Sequence, residues 1–360
     1  MVVLRNWQKQ IINDFPAIVK QHRRFILKAP TGAGKTILAS EIVDQFYKGK
    51  KILVLCHRLV LLEQLQKALS VRHRVHKLSV SEDGKAFDGY DILLSTNMRA
   101  KDVLEEAIKM ADLIIVDEAH RVSPNGTGYK KIIDDFENEG KIGAQFMGLT
   151  ASPERRTGDQ RDQLSLAFDA IIDCANIETL IEEGILVPPI YRPHFIHDLD
   201  LSSIDISSGD FPVSKLAPAI VKSSMIDYAT FIYLEERQNV PSAPISAWFC
   251  PDVTVAEATL EKVRANGIEA EIVTASTPIT ERMELLEAHE NGAIEAMVSV
   301  GVLAEGWDNP HCNLIVHLRP TLSKVVWGQT VGRGLRSAEG KDRCIVIDVS
   351  SNWSTFGPVE

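Results

Sequence analysis

Ten short apolar runs alternate with amphipathic stretches along this chain, and that alternation restricts the fold more than any other feature. In the first half the runs are FILKA (25–29), KILVLC (51–56), DILLST (91–96), DLIIVD (112–117) and FMGLT (146–150), with helical patterns near 35–48, 58–69, 100–110 and 128–138. In the second half they are SAWFC (246–250), EIVTA (271–275), AMVSV (296–300), NLIVHL (313–318) and CIVID (344–348), with helical patterns at 254–266, 279–290 and 323–331. A strand that is apolar throughout is buried on both faces. A helix between two such strands carries the chain back to the starting edge, so the sheet is parallel and covered on both sides. The expected fold class is α/β, with two tandem domains, each a parallel sheet with helices on both faces. Between the halves, VPP, Pro193, paired serines, Gly209 and Pro212 read as irregular chain. The expected division is therefore a first domain over 1–186, a linker or crossover over 187–217 and a second domain over 218–360.

The bulk properties exclude several classes. The 360 residues are 45% apolar and 24% charged, which suits two packed cores. No apolar run approaches the roughly 20 residues of a membrane helix, and the N-terminal MVVLRNWQKQ lacks the apolar stretch of a signal peptide. The expected setting is cytoplasmic, with no membrane partner. Cysteines at 56, 174, 250, 312 and 344 stand singly, so neither a zinc knuckle nor a redox dithiol is indicated; Cys56, Cys250 and Cys344 lie in apolar runs and read as core. Residues 1–187 carry 26 Lys+Arg and 26 Asp+Glu, whereas 188–360 carry 13 and 23. The whole net charge of −10 thus lies in the second half, and any nucleic-acid site must be a local groove.

FILKAPTGAGKT joins a strand, a glycine-containing loop and a helix start. Gly32 and Gly34 let the backbone curl until its N–H groups face inward, and such a nest at a helix N-terminus stabilises nucleotide phosphates. Thr31, Gly32, Ala33 and Gly34 form the cradle, Lys35 adds a mobile positive charge and Thr36 offers a hydroxyl to Mg²⁺. The general pattern wants glycine at 29, where this chain has Ala29; the loop closes around TGAGKT regardless.

DLIIVDEAH puts Asp117 and Glu118 at the carboxyl end of a buried strand, the edge where open parallel sheets bind ligands. Phosphoryl transfer to water needs one carboxylate toward Mg²⁺ and another toward the attacking water, a division that suits Asp117 and Glu118 respectively. No second histidine stands at metal-ligand spacing from His120, which reads as a contact to neighbouring motifs that couples nucleotide state to conformation. In QTVGRGLR (329–336) spacings of four and three bring Gln329, Arg333 and Arg336 toward one helix face, where guanidiniums can answer developing phosphate charge. In VLAEGWDNP (302–310) Gly306 permits a sharp turn, and Asp308 can accept from a ribose or from an arginine.

Together these motifs resemble superfamily-two helicases of the DEAH-lettered kind, in the expected order over nearly the whole chain. The resemblance implies two RecA-like domains, Mg²⁺ and ATP, and movement on a nucleic-acid strand coupled to closure. LRNWQ looks like the adenine-reading segment, with Arg5 and Gln8 on the nucleotide. LTASP (149–153) looks like the coupling motif, with Thr150 and with Ser152 where many members carry Thr. CHRLVLLEQ (56–64) and STNMR (95–99) look like strand-gripping segments, which makes Arg58, Thr96 and Arg99 the expected nucleic-acid contacts. EEGILVPP, GVLAEGWDNPHCNLIVHLRPT and QTVGRGLRSAEGKDRCIVIDVSSN are most like RadD-like bacterial repair helicases, with UvsW-like phage helicases a second relative in style. This likeness implies a bacterial or phage source and a DNA partner, single-stranded or branched, in recombination or repair. RadD-like proteins continue into a cysteine-containing region after the second domain. The alternatives are an RNA helicase, or an ATP-gated clamp or motor subunit that needs a protein partner and does not unwind alone.

Overall fold

The computed structural model describes residues 3–56, 66, 69–70, 73–78, 86–96, 101–122, 127–152, 161–206, 209–304 and 307–359. The chain divides into two compact units, Met1–Asn176 and Ile177–Glu360. The division falls at 176/177, not at 186/187.

The first unit holds strands β1 (Arg24–Lys28), β2 (Ile52–Cys56), β3 (Val75–Lys77), β4 (Ile92–Thr96), β5 (Leu113–Asp117), β6 (Gln145–Thr150) and β7 (Ala170–Asp173). They form one sheet in the order β3-β4-β2-β5-β6-β1-β7, and every pairing is parallel. The central strands are buried at nearly every position, as their unbroken apolar runs require. Helix α1 (Asn6–Gln21) turns Trp7, Ile11, Ile12, Phe15 and Ile18 inward, a stripe at helical spacing. Helix α2 (Lys35–Phe46) leaves the loop after β1 and buries Leu38, Ala39, Ile42 and Val43. The strand register gathers four strand ends. Lys28 lies opposite both Thr150 and Asp173, and Asp117 lies opposite Leu149, so the ends of β5, β6, β1 and β7 share one edge.

The second unit holds β8 (Pro189–Pro193), β9 (Ser246–Phe249), β10 (Ala270–Val273), β11 (Ala296–Ser299), β12 (Leu314–His317) and β13 (Cys344–Asp348). Its sheet runs β10-β11-β9-β12-β13-β8, again parallel throughout. The α/β architecture of two parallel sheets is as the sequence implied. The segment 187–217 is not a linker in this fold. Residues 189–193 are an edge strand paired to β13, and Val213–Lys222 is a helix that buries Leu216, Ala217 and Ile220. The prolines that suggested irregular chain suit an edge, where a missing N–H costs no ladder bond. Among the described residues no helix is long and apolar enough to cross a membrane.

Two buried histidines set a pH dependence for this unit. His289 Nε2 meets Ser246 O at 3.0 Å and His317 Nε2 meets Thr330 Oγ1 at 3.0 Å. Burial pulls their imidazoles down to about 4 and about 3. The unfolded chain protonates both near pH 6.5, so their contribution is complete above that pH and is lost as the pH falls toward the folded values. Each then loses about 1.4 kcal/mol per pH unit. Urea unfolding at pH 7 and pH 5 should show the second unit losing stability. In His289→Gln that loss should be about 2 kcal/mol smaller. An unchanged difference between the two pH values would contradict this assignment.

Candidate nucleotide site

The loop after β1 is built as a nest. Gly32 and Gly34 have φ of 82° and 95°, the left-handed region open to glycine, and Gly34 caps α2. Lys35 Nζ curls back onto Ala29 O at 2.9 Å and Pro30 O at 3.1 Å, so the ammonium closes the loop upon itself. Arg5 Nη1 donates to Ala33 O at 2.6 Å and to Gly32 O at 3.2 Å. Gln8, 1% exposed, donates from Nε2 to Gly34 O at 3.0 Å and accepts from the Arg5 N–H at 2.9 Å. The first turn of α1 thus grips the loop by three of its carbonyls, and the Ala33 N–H closes the loop on Pro30 O at 3.2 Å. A glycine-lined cradle with a lysine over it and a threonine hydroxyl next along suits a nucleotide triphosphate and its Mg²⁺.

Thr150 joins this loop to the acidic strand end. Its carbonyl accepts from the Ala29 N–H at 3.1 Å, and its hydroxyl meets His120 Nδ1 at 3.0 Å and the Ser152 N–H at 3.2 Å. His120 Nδ1 also lies 3.2 Å from Glu118 Oε2. The turn that presents Glu118 is strained: its φ and ψ are 52° and 51°, left-handed for a residue with a side chain. The turn also needs a bare neighbour. A Cβ on Gly148 of β6 would stand 2.7 Å from the Ala119 Cβ, so glycine there lets Ala119–Arg121 lie on the strand. The Asp117 carboxylate accepts the Glu118 N–H at 3.0 Å, which directs it along the same edge. Lys35, Thr36, Asp117, Glu118, His120, Thr150 and Ser152 are therefore all carried at this one edge of the first sheet.

In the second unit Gln329, Arg333 and Arg336 come from the helix Lys324–Gly334 and its exit. A Cβ on Gly334 would stand 2.4 Å from Cys344 Sγ and 2.7 Å from Ile315 Cγ1, so this helix lies directly on β12 and β13. Arg333, 6% exposed, donates twice to Ala304 O, at 2.9 and 3.1 Å, and once to Trp307 O at 2.8 Å. Arg336 pairs with Asp308 and reaches Trp307 O at 3.3 Å. Asp308 thus accepts from an arginine, one of its two expected partners. Burial lowers the Arg336 guanidinium from its ordinary value, opposed by Asp308. Lys341, which the sequence analysis did not single out, is buried and donates to Arg336 O at 2.7 Å and Pro310 O at 2.8 Å, bracing the helix exit. Arg58, Arg99 and Gly306 lie outside the described residues, and Thr96 ends β4. No cluster of three metal-ligating side chains occurs among the described residues, and the five cysteines are unpaired.

Two parallel sheets, with a phosphate-type loop and an acidic strand end on the first and an arginine helix on the second, define tandem RecA-like helicase domains. Residues 1–155 match the model of the type III restriction enzyme res subunit, and residues 233–338 match that of the helicase conserved C-terminal domain. Over both units the chain is thus similar to superfamily-two helicases. It is 28% identical over 359 residues to the Saccharomyces cerevisiae protein named "Putative ATP-dependent helicase IRC3", covering 96% of this chain and 51% of that one. The chain spans between about half and two thirds of the length of the curated relatives that it matches over nearly its whole length. Its fold is similar to that of the ATP-dependent Type ISP restriction-modification enzyme LlaBIII bound to DNA, with TM-score 0.66, 20% identity and coverage of 96% of this chain and 27% of that one. It is also similar to the Pyrococcus furiosus Hef helicase domain, with TM-score 0.59, 16% identity and coverage of 97% and 96%.

Gly34→Ala should test the nest. The new methyl would sit 3.0 Å from Gln8 Nε2 at a φ of 95°. The left-handed conformation alone costs a side chain about 1–2 kcal/mol. ATP affinity measured by titration calorimetry should fall by about tenfold or more, and unchanged affinity would show that the loop does not hold phosphate through this geometry.

Proposed function

We propose that the chain is a DNA-dependent ATPase that couples hydrolysis to movement on, or unwinding of, single-stranded or branched DNA in recombination or repair. The observation that carries this reading is the shared edge of the first sheet, where Thr150 ties the phosphate-type loop to the turn bearing Glu118. The likeness to RadD-like and UvsW-like helicases, and a similar fold in an enzyme bound to DNA, support DNA as the polymer.

In this reading Thr31, Gly32, Ala33 and Gly34 bind the β- and γ-phosphates through backbone N–H groups, and Lys35 leaves its carbonyls to neutralise them. Arg5 and Gln8 hold the loop open on its far side and read the base. Mg²⁺, held by Thr36 and Asp117, supplies charge neutralisation when bound. Glu118 orients the attacking water and takes its proton. Its backbone is held in the left-handed region, and its Oε2 lies 3.2 Å from His120 Nδ1. His120, Thr150 and Ser152 pass loop position to the segments beyond them. Gln329, Arg333 and Arg336 are the second unit's contribution to turnover, with Asp308 paired to Arg336. Arg58, Thr96 and Arg99 contact the strand backbone.

Lys35→Ala should abolish hydrolysis, since among the described residues no other ammonium is placed in the loop; retained turnover would end the assignment. Arg336→Ala should bind ATP nearly as the parent does while losing turnover by about 10³-fold or more, the scale of a lost arginine finger. Equal losses of binding and turnover would remove that role. ATPase rates with no polymer, single-stranded DNA, branched DNA and RNA separate the substrates. Stimulation by DNA, followed by strand displacement, supports the motor. Stimulation by RNA alone would make it an RNA helicase, and no stimulation would favour a clamp or subunit dependent on a protein partner.

A further inference from the structure

The buried polar cluster behind the arginine helix has no part in this ATPase scheme. His317 closes β12 and is fully buried between aromatic rings. Phe249 stacks at 5.9 Å with an interplanar angle of 28°, and Trp327 meets it edge-on at 5.4 Å. Both ring nitrogens are used. Asn352 Nδ2 lies 3.0 Å from Nδ1 and Thr330 Oγ1 lies 3.0 Å from Nε2. The surrounding donors fix the tautomer. Asn352 Nδ2 can only donate, so Nδ1 is the acceptor and Nε2 carries the proton. The Thr330 hydroxyl is spent on Val326 O at 2.9 Å, which leaves its oxygen to accept from Nε2–H. Asn352 is anchored in turn: Nδ2 donates to Arg319 O at 2.9 Å and Oδ1 accepts the Thr321 N–H at 3.0 Å. Asp210 accepts from the Thr321 hydroxyl and the Leu322 N–H, both at 2.8 Å. A single imidazole thus connects the clamped loop Arg319–Ser323 to the helix one residue beyond Gln329.

A ring of phenylalanine shape would fill this space without desolvating two nitrogens, so packing alone does not call for histidine. The hydrogen bond to Thr330 does what an apolar ring cannot: it fixes the rotation and height of the helix against the strand. Gly334 already lets that helix lie against Cys344 and Ile315, so a sliding or turning helix would move Arg333 and Arg336 away from Ala304 and Trp307.

We propose that His317 is a positioning residue which, through Nε2–H to Thr330, holds Gln329, Arg333 and Arg336 in the register that ATP turnover requires. The proposal rests on the assignment of Arg336 to ATP turnover. It is tested in the full chain with His317→Phe, which keeps the ring, and His317→Gln, whose amide N–H can reach Thr330. ATP Kd, kcat and urea stability are measured on each, beside Arg336→Ala. His317→Phe should keep ATP affinity within about twofold and lose kcat by about tenfold or more, and His317→Gln should recover most of that loss. Thr330→Val should lower kcat to the same level, and the double variant His317→Phe with Thr330→Val should be no slower than either alone. Normal kcat in His317→Phe beside an inactive Arg336→Ala overturns the proposal and leaves the reading of Arg336 standing. Normal kcat in Arg336→Ala overturns both. A kcat loss in His317→Phe that is matched by weakened ATP binding, or that Gln does not restore, marks a purely structural residue and also overturns it.

Discussion

Everything at the edge of the first sheet depends on Thr150. Its carbonyl takes the first N–H of the phosphate-type loop, and its hydroxyl takes His120, whose ring also meets Glu118. One strand end therefore sets the position of a loop on one side and of a strained acidic turn on the other. The parallel order β5-β6-β1 makes this arrangement available, because β6 separates the two elements and touches both. Gly148 is the steric condition for it. With any side chain two residues before Thr150, the turn Ala119–Arg121 would have to lift off β6 and His120 would leave the threonine. The path from the loop to the acidic turn runs through the Thr150 carbonyl and hydroxyl to His120, whose Nδ1 lies 3.2 Å from Glu118 Oε2.

The sheet-forming part of the fold was legible because unbroken apolar strands have one solution, a parallel sheet with both faces covered. KILVLC and DLIIVD became β2 and β5 to within a residue. β3, β7 and β8 were not legible, since Val75–Lys77 is short and half-buried and Ala170–Asp173 alternates in exposure along an edge. Pro189–Pro193 carries the residue type that usually ends a strand. Edge strands bury one face at most, and so they lack the pattern by which interior strands are read. The helix Met225–Glu236 escaped for the opposite reason: it is apolar nearly all round, and a helix without a polar face has no periodicity to detect.

The candidate site was legible at the level of motifs, because glycines, a lysine and paired carboxylates at fixed spacing have few other uses. Its supports were not. The roles of Gly148, Lys341 and His317 depend on what lies across from them in space, and each looks ordinary in sequence: a glycine in a strand, a lysine in a charged loop, a histidine ending an apolar run. Burial is what changes their meaning. Lys341 puts its ammonium on two carbonyls at the helix exit, where burial lowers its pKa from the usual lysine range. A lysine so placed serves as a brace and not as a solvated charge.

The two arginines of the second unit illustrate how geometry divides residues that sequence treats alike. Arg333 spends its donors on Ala304 and Trp307 and is almost wholly enclosed, so removing it would leave those carbonyls without their partner in a dry place. Arg336 shares only Trp307 O and holds the half-exposed Asp308 carboxylate. Arg333 thus holds the loop after β11 by buried contacts, while the Arg336 ion pair is the more open of the two. Both arginines leave a helix that His317 meets at Thr330 and that Gly334 lets lie on β12 and β13.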